Sequence, residues 1–389
     1  MIKKIFKPLA SLKLTVVIFA LSIFLVFAGT LAQVHAGIWT VVDEYFRSIV
    51  VSIDLQIFVP QEVAKVGGAI WFPGGLTLGV AMLINLVAAH TVRFKFKKKR
   101  IGIILTHLGV ILLLVGEFVT GFAAEEGNMT ILEGETVNFV EDIRSSEIAV
   151  TDRSDPTDDL VVVIPERFVG TDKTITHGLL PFRMVVSEWM PNSRMLGPAQ
   201  APENRKGLAD SGIASELTAM PLPRANGVDG ATVDAPSAYV TMYKGEERLG
   251  SYLLSVYVDQ GQAVTIDDKT YWVELRFKRT YKPYSLRLID FKHDLFTGTQ
   301  MARNFSSDVQ LVDETRNVDR EVLIYMNHPL RHAGETFYQA SYLRDDSGTV
   351  LQVVKNPGWL IPYISCTVVT IGMLIHFGIR LVPSLRRKS

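Results

Sequence analysis

Eight histidines are the residues of this chain whose chemistry and placement invite a site: His35, His90, His107, His177, His293, His328, His332 and His376. Three of them fall inside or at the end of long apolar segments. An imidazole in an apolar span is costly unless it has a hydrogen-bond partner, a proton or a metal. His107 is the hardest to explain by packing, because it lies six residues into its segment, about 9 Å from the start at 1.5 Å per residue. His90 and His376 lie at segment ends, where water or lipid headgroups could also hold them. In the polar part of the chain, "MNHPLRHAGETFYQASY" (Met326–Tyr342) brings Asn327, His328 and His332 into one dense stretch. Asn327-His328-Pro329 reads as a turn after a strand, and Phe337–Tyr342 as the next strand. His177 and His293 carry no signal of their own.

The elements that must position these residues follow from hydropathy. The average hydrophobic share, 48%, and the formal net charge of zero conceal a segregated chain. Segments of about 20 apolar residues, enough to cross about 30 Å of hydrocarbon, occur near 14–32, 70–92, 101–122 and 359–377. We read them as four transmembrane helices. Lysines and arginines set their orientation. Lys3, Lys4, Lys7 and Lys13 precede the first segment, Arg93, Lys95, Lys97, Lys98, Lys99 and Arg100 join the second to the third, and Arg380, Arg386, Arg387 and Lys388 follow the fourth. No acidic residue stands among them. The positive-inside rule puts these stretches, and both termini, in the cytoplasm. His90, His107 and His376 then share the inner part of the membrane. The remaining chain carries the acidic excess, which argues against a nucleic-acid partner. Gln33-Val34-His35-Ala36 offers a small-residue cleavage site. The run before it, however, is longer than a usual signal core, and its removal would break the charge pattern.

Three regions result. Residues 1–122 hold three spans and, over 36–69, an outer interfacial helix suggested by Ile38, Val42, Tyr45, Phe46 and Ile49 at helical spacing. Residues 123–357 read as a large extracytoplasmic all-β domain, antiparallel and sandwich-like, inserted between helices 3 and 4. Its segments, such as "LVVVIP", "TYWVELRF" and "EVLIYM", are short, β-branched and aromatic, with turn residues between them. Residues 195–236, rich in Pro, Gly, Ala and Asn, break that rhythm and read as a flexible insertion. Residues 358–389 supply the fourth span and a basic tail.

The chemistry left open is narrow. The single cysteine, Cys366, excludes disulfide pairs, Cys-x-x-Cys and Cys-x-x-Cys-His. There is no phosphate loop, zinc spacing or Gly-x-Ser-x-Gly. A neutral imidazole is a usual axial ligand for haem iron, so His107 could face a haem, with its second ligand from another chain. The alternative is a structural hydrogen bond.

The layout and several stretches resemble the ResB (CcsB) family. They are "LASLKLTVVIFALSIFLVFAGTLAQ", "INLVAAHTVRF", "GIILTHLGVILLLVGEFVTGF" followed by "EGNMTILEGET", "SLRLIDFKHDLFTGTQMARNFSSDVQLVD", "MNHPLRHAGETFYQASY" and "LQVVKNPGWLIPY". The resemblance runs in order along nearly the whole chain, apart from the 195–236 insertion. It implies a subunit of the system II cytochrome c maturation machinery in the bacterial cytoplasmic membrane. Such a subunit works with a CcsA (ResC)-like partner and moves haem b outward for attachment to apocytochrome c. By position, the family's third-span histidine maps to His107, with His90 and His376 as weaker candidates and His328, His332 and Asn327 as outer ones. No catalytic residue is assigned, since the resemblance puts attachment on the partner. A reading of a different class stands beside it: a membrane-anchored β-domain scaffold that stabilises a partner without binding haem. A third, an autonomous di-haem cytochrome, lacks the histidines for two bis-ligated haems.

Overall fold

The computed structural model describes residues 2–60, 63–93, 97, 100–225, 233–258, 260–295, 298, 302–343 and 345–386. The chain divides into two compact units: Met1–Glu125 with Lys355–Ser389, and Glu126–Ala225 with Thr232–Val354.

The first unit is helical. Its helices are α1 (Ile2–Leu9), α2 (Leu12–Ala36), α3 (Ile38–Val41), α4 (Gly75–Arg93), α5 (Ile101–Ala123) and α6 (Ile361–Arg386). Among the described residues, four stretches are long and apolar enough to cross a membrane: Leu12–Ala36, Gly75–Val92, Ile101–Ala123 and Ile361–Ile379. Gly37, at φ 83°, breaks α2 from α3 while its N–H still closes onto Gln33 O at 3.0 Å. The helix expected over 36–69 is confined to α3 and the π-helical turn Val42–Phe46 that continues it. The chain then forms a hairpin, β1 (Val50–Asp54) against β2 (Ala69–Pro73). The alternation in "VVSID" buries Val51 and Ile53 and exposes the residues between them, a period of two that a helix cannot satisfy. Since β2 takes residues up to Pro73, α4 begins at Gly75 and not at Ile70.

Specific contacts tie the helices into pairs. Leu25, Ala28 and Ala32 of α2 pack with Val41, Tyr45, Val51, Ile53 and Leu78 into one apolar cluster. Asn85 of α4, buried, accepts from Thr15 Oγ1 of α2 at 2.7 Å and donates to Leu9 O at 2.6 Å. The amide thus satisfies its polar atoms within a helix interface. The α5–α6 seam is built on Gly102, Gly109 and Gly116. A Cβ at each would lie 2.5 Å from His376 N, 2.5 Å from Val369 Cγ2 and 2.7 Å from Ile361 Cγ2. Small residues at a seven-residue spacing let the α6 backbone approach at Gly102 and Gly109 and the Ile361 side chain fill the space at Gly116.

The second unit is β-rich and antiparallel. Its strands are β3 (Glu125–Leu132), β4 (Thr136–Asp152), β5 (Leu160–Pro165), β6 (Thr174–Ile175), β7 (Arg183–Met190), β8 (Ser193–Leu196), β9 (Thr218–Pro221), β10 (Ser237–Lys244), β11 (Glu247–Ser255), β12 (Gln262–Ile266), β13 (Lys269–Leu295), β14 (Ala302–Asp313), β15 (Val318–Tyr325), β16 (Leu330–His332), β17 (Glu335–Tyr342) and β18 (Gly348–Lys355). Among the described residues the large sheet runs β15-β14-β13-β4-β3-β18-β17-β16, with β12 on β13 and β5 on β4. A smaller sheet runs β11-β10-β7-β6.

Two long paired strands, β4 and β13, join two cores. Ile148 and Val150 of β4 and Val273 and Leu275 of β13 pack with Val186, Val240 and Leu254 of the smaller sheet, a sandwich arrangement. Val137, Val140, Leu286 and Leu288 of the same two strands pack with Met129, Val309, Phe337 and Leu351 in a second core. Register slips at Phe277/Lys278 and Tyr281/Leu286 mark the passage from one to the other. Each buried Leu, Ile or Phe contributes about 1.5–3 kcal/mol, so both ends of β13 are anchored. Within residues 195–236, Ser193–Leu196 pairs with Thr218–Pro221, and Met195, Ala209, Ala214 and Leu217 pack onto Met190, Tyr239 and Leu253. Residues 226–232 of that stretch lie outside the described residues.

Candidate functional site

Two of the three membrane-segment histidines meet. The rings of His90 on α4 and His107 on α5 stand edge to face, with centroids 5.1 Å apart and planes at 75°. The α5 seam glycines point the other way: Gly109 is two residues from His107, about 200° around a helix at 100° per residue. One face of α5 therefore seals against α6 while the opposite one turns His107 to α4. His376 does not join the pair. Its backbone forms the seam at Gly102, and its ring lies 5.5 Å from that of Phe377.

The tautomer of a neutral His90 follows from its partner. Nδ1 lies 3.0 Å from Leu86 O one turn earlier. A carbonyl only accepts, so Nδ1–H donates, and the neutral ring carries its lone pair on Nε2. An imidazole oriented by a backbone carbonyl in this way is suited to ligate a metal. Two rings in edge contact leave no room for a macrocycle between them. Either ring, taken singly, would offer the nitrogen donor that a haem iron takes. Among the described residues, no three His, Cys, Asp or Glu side chains converge on a metal position. Of the basic stretch between α4 and α5, Lys97 and Arg100 are exposed, and Lys95, Lys98 and Lys99 lie outside the described residues.

In the β unit the three outer candidates separate. Asn327, at φ 63°, makes the turn after β15, and both it and His328 are exposed. The His328 ring stacks on that of Tyr325 at 4.6 Å, and the His328 backbone N–H donates to Tyr325 O at 2.9 Å. His332 is enclosed, its side chain 7% exposed, with Nε2 2.7 Å from Asp313 Oδ2. Asp313, fully buried, also accepts from Thr315 Oγ1 at 2.6 Å and from the Arg316 backbone N–H and Nη1 at 3.0 Å each. Thr315, and then His332 and Arg316, hold its carboxyl well below the usual range against the opposing cost of burial. The Tyr284 ring meets His332 edge-on at 5.0 Å. Its hydroxyl donates to Glu335, which also pairs with Lys282 Nζ at 2.6 Å. Burial first, and the Glu335 carboxylate second, push the Tyr284 phenol far up. This network locks β13, β14, β16 and β17 together.

Sequence reasoning missed two arrangements. His293 Nδ1 pairs with Asp346 Oδ1 at 3.0 Å, with the Tyr342 ring 4.2 Å away. Arg276, 8% exposed, lies between Glu147 Oε1 at 3.0 Å and Glu274 Oε1 at 2.6 Å. The period-two pattern places Arg276 and Glu274 on one face of β13, but their partner Glu147 becomes visible only with the β4–β13 register.

Comparison with known proteins adds two findings. The chain is 24% identical over 306 residues to Protein NrfI of Wolinella succinogenes, an alignment covering 76% of this chain and 29% of that protein. The chain thus spans less than a third of that relative's length. Residues 245–350, from the turn before β11 into β18, match the model of the ResB-like family. The family model sets the ResB likeness on the strands that bear the Asp313–His332 and Tyr284–Glu335 contacts.

Proposed function

We propose that this chain is a membrane subunit of cytochrome c biogenesis. It acts as the haem-handling half of a system II complex with a CcsA/ResC-like partner and serves the delivery of haem b to apocytochrome c. The observation that carries the reading is the His90–His107 contact between two helices apolar enough to cross a bilayer. The ResB-like match supports it. The chain sits in the bacterial cytoplasmic membrane with both termini inside, and the β unit lies outside to meet the partner or the apocytochrome. His107 or His90 would hold the haem iron through an imidazole nitrogen, His90 through Nε2 because Nδ1 is tied to Leu86 O. When bound, haem supplies an iron that accepts this imidazole and vinyl groups to which thiols add. Of the chain's own residues, Leu86 orients the His90 imidazole through its carbonyl.

The test is the absorption spectrum of the full chain purified with its partner, as wild type and as His107→Ala. A haem b signature weakened in the variant and restored by added imidazole supports the reading. Unchanged haem in His107→Ala and in His90→Ala moves the ligand to the partner and leaves this chain a scaffold.

A further inference from the structure

Glu117 is the only acidic residue in the four long apolar helices. It is exposed on α5, a helix of 23 residues, about 34 Å long. With α5 centred in about 30 Å of hydrocarbon, Glu117 lies about 7 Å inside the outer boundary. Three effects oppose a solitary carboxylate there. Helical Cα–Cβ bonds tilt toward the N-terminus, so the side chain leans back to the membrane centre and away from the nearer surface. Its two methylenes are too short to snorkel as a lysine or arginine does. The C-terminal end of a helix carries partial negative charge, which disfavours an acid.

The surroundings show what relieves it. Glu117 stands about 100° around α5 from the Gly116 seam, so α6 does not cover it. One turn further, on the same face, Gly121 looks into open space: a Cβ there would meet nothing within 4 Å. A carboxylate beside a bare glycine notch admits a close helix and offers it a charge. A second copy of this chain brings no cation to that depth. Lys13, Arg93 and Arg380 all lie at the opposite, basic end of their helices, and His35 sits in the last turn of α2.

We propose that the Glu117–Gly121 face of α5 docks a transmembrane helix of a different membrane protein, one that carries an arginine or lysine in its outer half. This rests on the membrane-complex reading above and names the surface and chemistry of that contact.

The experiment is recovery of the CcsA/ResC-like partner with the tagged full-length chain in mild detergent. The variants are Glu117→Asp, Glu117→Gln, Glu117→Lys and Gly121→Leu. Wild type and Glu117→Asp should recover the partner equally. Glu117→Lys should lower recovery at least tenfold, and Glu117→Gln and Gly121→Leu severalfold, with the melting of the isolated chain unchanged. Glutamate substituted for one intramembrane arginine or lysine of the partner should restore binding to Glu117→Lys. Full recovery by Glu117→Gln would overturn the charge pairing, and full recovery by Glu117→Lys and Gly121→Leu would overturn the surface. A wild type that recovers no partner would overturn the complex itself, and with it this inference.

Discussion

Gly102 of α5 lies against the backbone of His376 of α6, so closely that a Cβ on the glycine would stand 2.5 Å from the histidine's amide nitrogen. The histidine is therefore part of the helix seam through its main chain, whatever its ring does. The same spacing recurs at Gly109 and Gly116.

Gly109→Leu should consequently split α5 from α6, because Val369 and the Ser365 carbonyl occupy the space a side chain needs. The expected loss is about 1–3 kcal/mol, as for other overpacked interiors. Gly79→Ala, at a glycine whose Cβ would meet nothing within 4 Å, should be neutral or stabilising by about 0.5–1 kcal/mol. Thermal melting of the two variants in detergent measures the contrast.

His90 and His107 should behave as one unit. Each single alanine variant leaves one imidazole in place, so each should retain part of the bound haem, and the double variant should lose it. Ring contact at 5.1 Å predicts non-additive effects. Haem occupancy read from the absorption spectrum of the four proteins closes the cycle, and strictly additive losses would count against a shared site.

Arg276 should be the costliest single polar truncation in the β unit. Arg276→Ala leaves Glu147 and Glu274 without their cation in an enclosed position and should cost about 3–5 kcal/mol. Replacing Arg276, Glu147 and Glu274 together by Met, Leu and Leu should recover much of that loss, because no unpaired charge of the trio remains. Denaturant unfolding of the full chain, followed by a β-sheet signal, tests both.

The β unit should weaken in acid. Asp313 is held well below the usual carboxylate range, and Asp210 is pulled down to about 2 by the Ser251 N–H, Arg248 and Ser211. A carboxyl depressed in the folded state contributes fully above its unfolded value, near 4, and loses that contribution as pH falls toward its folded value. Melting temperature should therefore hold between pH 7 and 5 and drop below about 4, less steeply in Asp313→Asn than in the native chain.

The residues themselves decide how much of this was legible. Length and polarity of local runs are one-dimensional properties, so the four apolar helices and the β-rich unit could be read from patterns such as "LSIFLVFAG" and the alternation in "TYWVELRF". The same runs singled out His107, because a lone imidazole among leucines is visible without any neighbour. Nothing local distinguished His90, which meets His107, from His376, which does not. That choice came from the glycine face of α5, which claims α6 by backbone contact and turns His107 to α4. Nor could spacing couple His293 to Asp346, 53 residues away, or Arg276 to Glu147, 129 residues away. Such pairs exist only once strand register is set, and register is chosen by burying two apolar cores at once along β4 and β13. The sequence alone determined which segments are apolar and long enough to form the four helices; the tertiary structure decided the hairpin between the first two and which polar residues face one another, because both depend on how distant apolar faces are buried together.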